Sequence, residues 1–247
     1  MTGREISGLR AVKQKATMAK RGKLIVIDGT DGSGKATQVK LLVQNLKNEG
    51  RKVKIINFPD YSSNFFGKFI GHCLSEQYYN FVKVHPKIAS VLYAADRFES
   101  KERIKKWLKE SYIVIADRYA SANQIHQGGK IANTKKRKNF LKWLAEMEYE
   151  VFKIPRPDGV FYLNVPIPTV LKLIRERDNN SRRSYLGKKK DAHEKDVKFL
   201  ENSRKSALWL AKTQKGWIKI ECMKGGKLDT RENIHKKIYE KVKKILK

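Results

Sequence analysis

Short runs of apolar residues alternate along this chain with longer segments in which apolar residues recur every three or four positions. The continuous runs are typical of buried strands, and the wider spacing is typical of amphipathic helices. Five runs predict strands: Leu24–Ile27, Lys52–Phe58, Tyr112–Ala116, Gly159–Val165 and Trp217–Glu221. Because helices are predicted between these strands, the pattern indicates an α/β fold, in which a five-stranded parallel sheet is flanked by helices in three layers.

Proline and glycine mark the ends of several predicted helices. One helix begins at Lys35 and ends near Gly50, and another begins at Pro86 and continues or bends on to Leu108. The remaining helices are expected within 62–84, before Pro155, from Pro168, over about 191–213 and at the C-terminus. Residues 178–190, DNNSRRSYLGKKK, are polar and densely basic, which predicts a mobile loop.

The first 22 residues show no sustained apolar period and contain six Lys and Arg residues against one acid. They predict a basic, flexible N-terminal tail, with a targeting peptide as the alternative. The following residues, 23–247, are expected to form a single domain.

The best-defined motif lies where the first strand meets the first helix. Gly29, Gly32 and Gly34 precede Lys35 with the spacing of a nucleotide phosphate-binding loop, or P-loop. Glycines let backbone N–H groups converge on phosphate oxygens, and the start of the helix adds its own N–H groups. Lys35 would supply a mobile positive charge for the outer phosphates.

One position departs from the P-loop pattern. The residue after the lysine is normally Ser or Thr, whose hydroxyl contacts Mg²⁺, but here it is Ala36. Magnesium would then need Thr37, water or carboxylates elsewhere. The residues expected around the ATP phosphates are Gly29, Thr30, Asp31, Gly32, Ser33, Gly34, Lys35, Ala36 and Thr37.

The net charge of +30 in 247 residues is extreme. Such an excess of basic residues is compatible with nucleic-acid binding. However, the lysines are scattered over every predicted helix and are not gathered in one module with interleaved aromatic residues. We therefore expect salt-sensitive, nonspecific adhesion to polyanions and no specific nucleic-acid partner.

Cysteine usage and hydropathy bear on the compartment. The two cysteines, Cys73 and Cys222, imply no disulfide framework. No apolar run approaches the length of a membrane span, and no secretory signal is recognisable. The expected location is the reducing cytoplasm, with no membrane partner.

Charged side chains follow the predicted strand that ends at Ala116. Asp117 is placed to hold Mg²⁺ or its water shell, and Arg118 to bind phosphate with two hydrogen bonds, although a simple turn or helix cap is the alternative. Upstream, Tyr93 and Arg97 lie four residues apart on one side of a helix. They could hold a base and a phosphate, or they could be a core residue and a surface ion pair with Asp96 or Glu102.

A set of motifs in a fixed order resolves these alternatives. The motifs are GTDGSGKATQ (29–38), FPDY (58–61), LYAADRFES (92–100), DRYASANQIHQGG (117–129) and DAHE (191–194). In order and spacing the chain resembles the thymidylate kinases, from Lys23 to its end. The resemblance implies transfer of the γ-phosphoryl group of ATP to dTMP, which gives dTDP and ADP in dTTP biosynthesis. It also implies a homodimer.

The resemblance implies the following roles for the dTMP sugar and phosphate. Asp31 would meet the 3′-hydroxyl of the deoxyribose. Phe58 and Pro59 would form part of the monophosphate pocket. Arg97 and Arg118 would bind the dTMP phosphate.

Further roles implied by the resemblance concern the thymine base. Tyr93 would stack on the ring, and Asn123 would face the base edge. His126 stands where a tyrosine often packs against the sugar, and Gln127 follows in the same motif. A histidine at this position leaves selection between deoxyribose and ribose open.

The family carries its charge-stabilising arginine either in the P-loop or in a lid. This P-loop has none, whereas the basic loop contains Arg182 and Arg183, so the resemblance implies a short basic lid at about 178–190. Asp191 and Glu194 match acidic positions near the substrate and Mg²⁺, which with Asp117 would form the metal site. The implied catalytic residues are Lys35, Arg118, Arg182 and Arg183.

Three other interpretations of the sequence remain as alternatives. Another (deoxy)nucleoside monophosphate kinase, or a deoxynucleoside kinase, could use the same loop. A basic nucleic-acid-binding ATPase would account for the charge. The third alternative is a non-catalytic relative, because Ala36 lacks the usual hydroxyl and Ala122 replaces a usual serine. Ser121, next to Ala122, could supply a substitute hydroxyl.

Overall fold

The computed structural model describes residues 20–75, 83–180 and 196–247. Five parallel strands form the central sheet in the order β2-β3-β1-β4-β5. The strands are β1 (Leu24–Gly29), β2 (Val53–Asn57), β3 (Ile113–Asp117), β4 (Gly159–Asn164) and β5 (Trp217–Glu221). The predicted five-stranded parallel sheet is confirmed.

Helices connect and cover the strands. They are α1 (Lys35–Asn48), α2 (Phe65–Leu74), α3 (Pro86–Glu99), α4 (Lys101–Lys109), α5 (Ala120–Ala122), α6 (Thr134–Ala145), α7 (Ile167–Asn180), α8 (Val197–Thr213) and α9 (Arg231–Leu246). Two segments are π-helical, Asn123–Gln127 after α5 and Glu146–Val151 after α6, and a hairpin of β6 (Met223–Lys224) and β7 (Lys227–Leu228) precedes α9. No helix in the described ranges is both long and apolar enough to cross a membrane.

The strand β1 is buried along its whole length because helices cover both faces of the sheet. Its side chains alternate: Ile25 and Ile27 pack with α1 and α9, whereas Leu24 and Val26 pack with α4. A strand covered on both faces needs apolar residues at every position. This is why the run Leu24–Ile27 is continuous in the sequence.

The sheet order places the ends of β1 and β3 side by side. Ile27 is in register with Asp117 in the parallel pair. The P-loop leaves β1 and the segment that begins with Arg118 leaves β3 at the same carboxyl edge. Ligands of open α/β sheets bind in a crevice at such an edge.

Some element boundaries differ from the sequence predictions. The helix predicted to continue or bend from Pro86 to Leu108 is formed by two helices, α3 and α4, which meet at Ser100. The loop predicted at 178–190 begins too early, because α7 continues to Asn180. The helix predicted over about 191–213 is described from Val197, where the Asp196 side chain accepts a hydrogen bond from the N–H of Phe199 at 2.9 Å.

Residues 20–22, which were assigned to the N-terminal tail, contact the folded domain. The N–H of Gly22 donates to the carbonyl of Leu108 at 2.8 Å, and Arg21 forms an ion pair with Asp158 at 3.2 Å. The rest of the predicted tail, residues 1–19, lies outside the described residues, so its assignment stays a prediction.

Candidate active site

A cavity of about 660 Å³ opens at the carboxyl edge of the sheet. It is lined by the P-loop, by the ends of β2 and β3, by α3 and by the segment after α5. The predicted site residues that line it are Asp31, Gly32, Ser33, Gly34, Lys35, Ala36, Thr37, Phe58, Pro59, Tyr93, Arg97, Asp117, Arg118, Asn123, His126 and Gln127. The structure therefore brings motifs that lie far apart in the sequence to one cavity.

The P-loop conformation depends on two glycines with positive φ. Gly32 has φ of 77° and Gly34 has φ of 86°. A Cβ atom on Gly32 would lie 2.6 Å from Cγ1 of Ile174, so both conformation and space require glycine there. Gly34 immediately precedes α1 and directs the loop toward the N-terminus of this helix. The loop and the helix start together expose backbone N–H groups to the cavity.

Lys35 folds back over the P-loop. Its Nζ donates to the carbonyls of Gly29 and Thr30, at 3.1 and 2.9 Å. Burial, assisted by the nearby Arg118 guanidinium, lowers the pKa of Lys35 to about 8. Gly29 and Thr30 do not line the cavity themselves, so their described contribution is to position Lys35.

Ser33 provides an additional hydroxyl at the P-loop. Ser33 lines the cavity, and its buried Oγ has no hydrogen-bond partner within the described chain. A buried hydroxyl without a partner destabilises the fold unless a ligand or a water molecule forms a hydrogen bond with it. A phosphate oxygen is a suitable acceptor for this group.

Arg118 crosses the cavity mouth between β1 and the segment after β3. Its backbone has φ of 66°, and its Nη2 donates to Oδ1 of Asp31 at 2.5 Å. Its Nη1 lies 2.9 Å from Nε2 of His126 and 3.7 Å from Oδ1 of Asp28. Burial alone would lower the pKa of Arg118, but the carboxylates of Asp31, Asp28 and Asp117 outweigh it and raise this pKa. The guanidinium is therefore a permanent cation.

The contact with Arg118 determines the tautomer of His126. An arginine can only donate, so Nε2 of His126 must accept and the ring proton lies on Nδ1. Nδ1 then donates to Oγ of Ser203 at 3.1 Å. The ring also stacks on Phe199, with centroids 5.8 Å apart.

Asp28 is a buried acid beneath the site that the sequence analysis did not single out. Its carboxylate accepts hydrogen bonds from the N–H of Gly29 at 2.8 Å and from the hydroxyl of Ser121 at 2.6 Å. Burial raises the pKa of Asp28. Because Ser121 faces Asp28 while Ala122 lines the cavity, Ser121 does not stand in for the hydroxyl missing at Ala122.

Arg97 is buried against an acid that lies 51 residues later in the chain. Its Nε donates to Oε2 of Glu148 at 2.9 Å, and its Nη2 donates to Oε1 of the same carboxylate. The alternative of a surface ion pair with Asp96 or Glu102 is wrong, because Arg97 is only 2% exposed. The sequence analysis missed Glu148. The available signal was an acid four residues after Leu144 on the apolar face of the predicted helix.

Phe58, Tyr93 and Gln127 are further predicted site residues that line the cavity. Phe58 is buried, and its ring lies 5.6 Å from that of Tyr119. Tyr93 lines the cavity from α3. Gln127 is buried, and its Oε1 has no partner within the described chain.

Several cavity residues near α7 and α9 belong to none of the motifs that the sequence analysis identified. These are Leu173, Glu176, Leu228, Asp229, Arg231 and Ile234. The carbonyl of Arg231 accepts a hydrogen bond from Gln38 of α1 at 3.0 Å, which ties this wall to the P-loop helix. The packing of α9 beside α1 brings Arg231 and Ile234 to the cavity, whereas Leu173 and Glu176 reach it from α7.

The predicted metal ligands are only partly described. Asp117 lines the cavity together with Lys35 and Thr37. Within the described ranges, no group of three or more His, Cys, Asp or Glu residues could hold a metal ion. Asp191 and Glu194, like Arg182 and Arg183 of the predicted lid, lie outside the described residues, so their roles stay predictions.

Comparisons with known proteins agree with this architecture. A family model described as thymidylate kinase matches residues 27–238. A thymidylate kinase of Plasmodium falciparum is 35% identical over 147 residues, which span 60% of this chain and 63% of that protein. A thymidylate kinase of Thermosipho africanus is 30% identical over 202 residues, which span 81% of this chain and 90% of that protein.

A solved structure shares the fold. The thymidylate kinase from Candida albicans superposes with a TM-score of 0.68 at 22% identity, over 91% of this chain and 92% of that chain. The match to the family model covers most of the chain, including the P-loop from Gly29, Asp117 and the segment after it. This chain therefore belongs to the thymidylate kinase family.

Proposed function

We propose that this chain transfers the γ-phosphoryl group of ATP to dTMP, giving dTDP and ADP, as a step in dTTP biosynthesis. Family membership supports dTMP phosphorylation over the alternative activities. The observation that carries the proposal is one cavity of about 660 Å³ lined by the P-loop residues Asp31–Thr37 and by Arg97 and Arg118. Two anionic substrates can meet in such a cavity.

We place the ATP phosphates on the P-loop. The backbone N–H groups, the Ser33 hydroxyl and Lys35 offer donors and charge for the phosphate oxygens. The adenine would lie toward α7 and α9, where Leu173, Leu228 and Arg231 continue the same cavity. Asp31 stands between the two phosphate sites through its contact with Arg118.

The dTMP molecule would occupy the other end, with its phosphate toward Arg97 and Arg118 and its base toward Tyr93 and Asn123. The acceptor is a phosphate oxygen that is already largely ionised near neutral pH, because its second pKa is about 6. No general base is needed. The protein must bring two polyanions together and stabilise the charge that spreads over the transferred group.

Magnesium fits this site through a small number of protein ligands. Mg²⁺ commonly binds one or two carboxylates, substrate phosphates and waters. Asp117 supplies a carboxylate in the cavity, and the hydroxyl of Thr37 is close along the chain to the position that Ala36 leaves without one. The bound ion would neutralise charge on the β- and γ-phosphates. Asp191 and Glu194 remain proposed additional ligands.

The proposed lid residues Arg182 and Arg183 would complete the charge stabilisation when the lid covers ATP. An arginine in this role contributes roughly 10³–10⁵ in rate in GTPases. We expect replacement of either arginine by Ala to lower kcat strongly with little effect on dTMP binding. A change confined to KM for both variants would contradict this role.

The central test is ADP release and product identity with Mg²⁺, ATP and a panel of acceptors: dTMP, dUMP, dGMP and none. We expect dTDP as the main product and dUMP as a poor but detectable acceptor, because a single methyl group discriminates by about 1–3 kcal/mol. Faster turnover with dGMP would favour another nucleoside monophosphate kinase. DNA-stimulated hydrolysis without dTDP would favour the nucleic-acid-binding ATPase.

A homodimer is the proposed assembly. On α3, Ile88, Val91 and Phe98 share one face and are 60%, 41% and 46% exposed. Such an apolar helix face fits a second copy of the chain. Analytical ultracentrifugation should show a dimer for the wild type and a monomer for Val91→Glu. A monomeric wild type would contradict the proposal.

The reducing cytoplasm is the proposed compartment. Cys73 and Cys222 are both buried thiols that form no disulfide. Burial raises the pKa of Cys222 to about 12, which keeps this thiol protonated and inert. Cell fractionation with an antibody to the chain would test the location.

A further inference from the structure

Glu148 lies directly behind the acceptor end of the cavity. Its side chain is only about 2% exposed and does not line the cavity, yet it contacts two residues that do. One carboxylate binds Arg97 through two hydrogen bonds and accepts a third from Nδ2 of Asn123 at 3.1 Å. The sequence analysis gave Glu148 no role.

The contact with Glu148 fixes the plane of the Arg97 guanidinium. Nε and Nη2 both donate to the carboxylate, so the edge formed by these two nitrogens faces away from the cavity. The remaining N–H groups, chiefly those of Nη1, are the ones that a ligand can use. A paired and buried guanidinium has little freedom to turn, and this fixes the donors before any ligand binds.

The same carboxylate and the carbonyl of Ser90 together determine which way the Asn123 amide points. Nδ2 donates to the carbonyl of Ser90 and to Oε1 of Glu148, both at 3.1 Å. A carbonyl and an ionised carboxylate can only accept, so the nitrogen and not the oxygen of the amide must face them. The amide oxygen is then the polar atom that Asn123 can offer to the cavity.

An oxygen acceptor at this position selects among bases. Thymine and uracil carry an N–H at ring position 3, which can donate to such an oxygen. Cytosine has a ring nitrogen without hydrogen there, which would face the amide oxygen as a second acceptor. A buried polar pair that cannot hydrogen-bond is strongly disfavoured.

We propose that Glu148 is a positioning residue of the acceptor site, which holds the Arg97 guanidinium in place and, together with the carbonyl of Ser90, turns the Asn123 oxygen toward the base, so that the site prefers a pyrimidine with N3–H to cytosine. This inference rests on the proposed function, because that function places the phosphate and the base at these residues.

The test compares two variants with a matched control. Glu148→Gln keeps the size of the side chain but removes the charge and gives Asn123 a neutral partner that can donate or accept. Glu148→Asp keeps the charge that balances Arg97 but shortens the side chain by one methylene. Glu150→Gln changes a glutamate in the same π-helical segment that pairs with Arg156 at the surface, and it is expected to behave as the wild type.

For each protein, kcat and KM are measured with dTMP, dCMP and ATP, and the affinities for dTMP and dCMP are measured by calorimetry. For Glu148→Gln we expect kcat/KM for dTMP to fall about 10- to 100-fold and the dTMP over dCMP preference to narrow by about tenfold, with KM for ATP unchanged. For Glu148→Asp we expect a higher KM for dTMP, a nearly unchanged kcat and a smaller narrowing of the preference.

A purely structural role predicts a different result. It would lower thermal stability and reduce the rates with dTMP and dCMP by the same factor, so an unchanged preference in the folded variants overturns the proposal. If Glu148→Gln does not fold, the ratio of kcat/KM for dTMP to that for dCMP is measured with Glu148→Asp, and an unchanged ratio overturns the proposal. If the wild type binds dTMP but forms no dTDP, the proposed function fails, while the calorimetric preference still tests Glu148. A wild type that binds neither nucleotide overturns both.

Discussion

The two ends of the cavity are built in different ways. The P-loop end uses consecutive residues, 29–37, and its shape follows from two glycines and the start of a helix. The acceptor end takes Arg97 from α3, Asn123 from the segment after α5 and Glu148 from the segment after α6. The first end is therefore determined locally, whereas the second exists only when three distant segments pack together.

The two arginines show this difference most directly. Arg118 is 15% exposed and shares its hydrogen bonds among groups at the mouth of the cavity. Arg97 is 2% exposed and is held by one buried carboxylate. We therefore expect Arg97 to matter for both stability and binding, and Arg118 to matter chiefly for catalysis and binding.

The largest effect is expected on stability from Arg97→Met. The change leaves Glu148 as a buried carboxylate without its cation, and breaking a buried pair in this way costs about 3–5 kcal/mol. Urea denaturation should show this loss in the free energy of unfolding. Arg156→Met, which breaks the exposed pair with Glu150, serves as the control and should leave the free energy nearly unchanged. Equal losses in the two variants would contradict the comparison.

The next effect is on catalysis, from Lys35→Met at the locally determined end. We expect kcat to fall by about 10²–10³, because one preorganised charge on the transferred phosphoryl group is lost. The affinity for dTMP should stay unchanged, because Lys35 belongs to the P-loop. Steady-state kinetics and dTMP calorimetry would check this. Loss of dTMP binding would show that the two ends are not separable.

A smaller effect is expected from Arg118→Lys. An ammonium group cannot replace the guanidinium contacts with Asp31 and His126 at the same time. We expect kcat/KM for dTMP to fall about 10- to 100-fold with little change in the melting temperature. Arg103→Lys, on the surface beside Asp60, is the matched control. If Arg118→Lys melted as early as Arg97→Met, the difference between the two arginines would disappear.

The smallest effect is a pH dependence that arises from Lys35. Its pKa lies at about 8 in the folded protein, below the ordinary value of 10.5. Above pH 8 the amine loses the charge that attracts ATP, so kcat/KM for ATP should fall about tenfold between pH 7 and 9. Bound phosphates favour the charged form, so kcat should stay flat over this range. A pH profile of both constants would check this, and a flat kcat/KM would contradict it.

The same pKa shift gives a stability prediction of definite sign. Because folding lowers this pKa, the charged Lys35 destabilises the native state at every pH below about 8. This destabilisation diminishes as the pH rises from about 8 to 10.5, where the unfolded chain also loses its proton. Lys35→Met removes this destabilising charge, so the free energy of unfolding of the variant should exceed that of the wild type by the largest amount below pH 8.

Much of the fold could be predicted from the sequence. Continuous apolar runs such as Leu24–Ile27 identify strands covered on both faces, and their alternation with helices implies a parallel sheet. Boundaries were less predictable. Ser100 ends α3 and α7 extends to Asn180, and neither end carries a proline or glycine that would mark it.

The candidate site was predictable to the extent that its residues lie in contiguous motifs. The glycines and Lys35 are recognisable because one short segment contains the whole phosphate cradle. The partners of these residues were not recognisable. The pairing of Arg97 with Glu148 joins residues 51 positions apart, and Ser121, which was considered as a substitute hydroxyl for Ala122, donates to Asp28.

The sequence by itself determined the strands, the P-loop and the family, because these depend on apolar periodicity and on motifs read within a few residues. Only the tertiary structure decided which acid neutralises Arg97, which way the Asn123 amide points and which nitrogen of His126 carries the proton. Each of these depends on the partner that packing places within hydrogen-bond distance. Such a partner leaves no local mark in the sequence, because the order of the strands in the sheet decides which distant segments pack together.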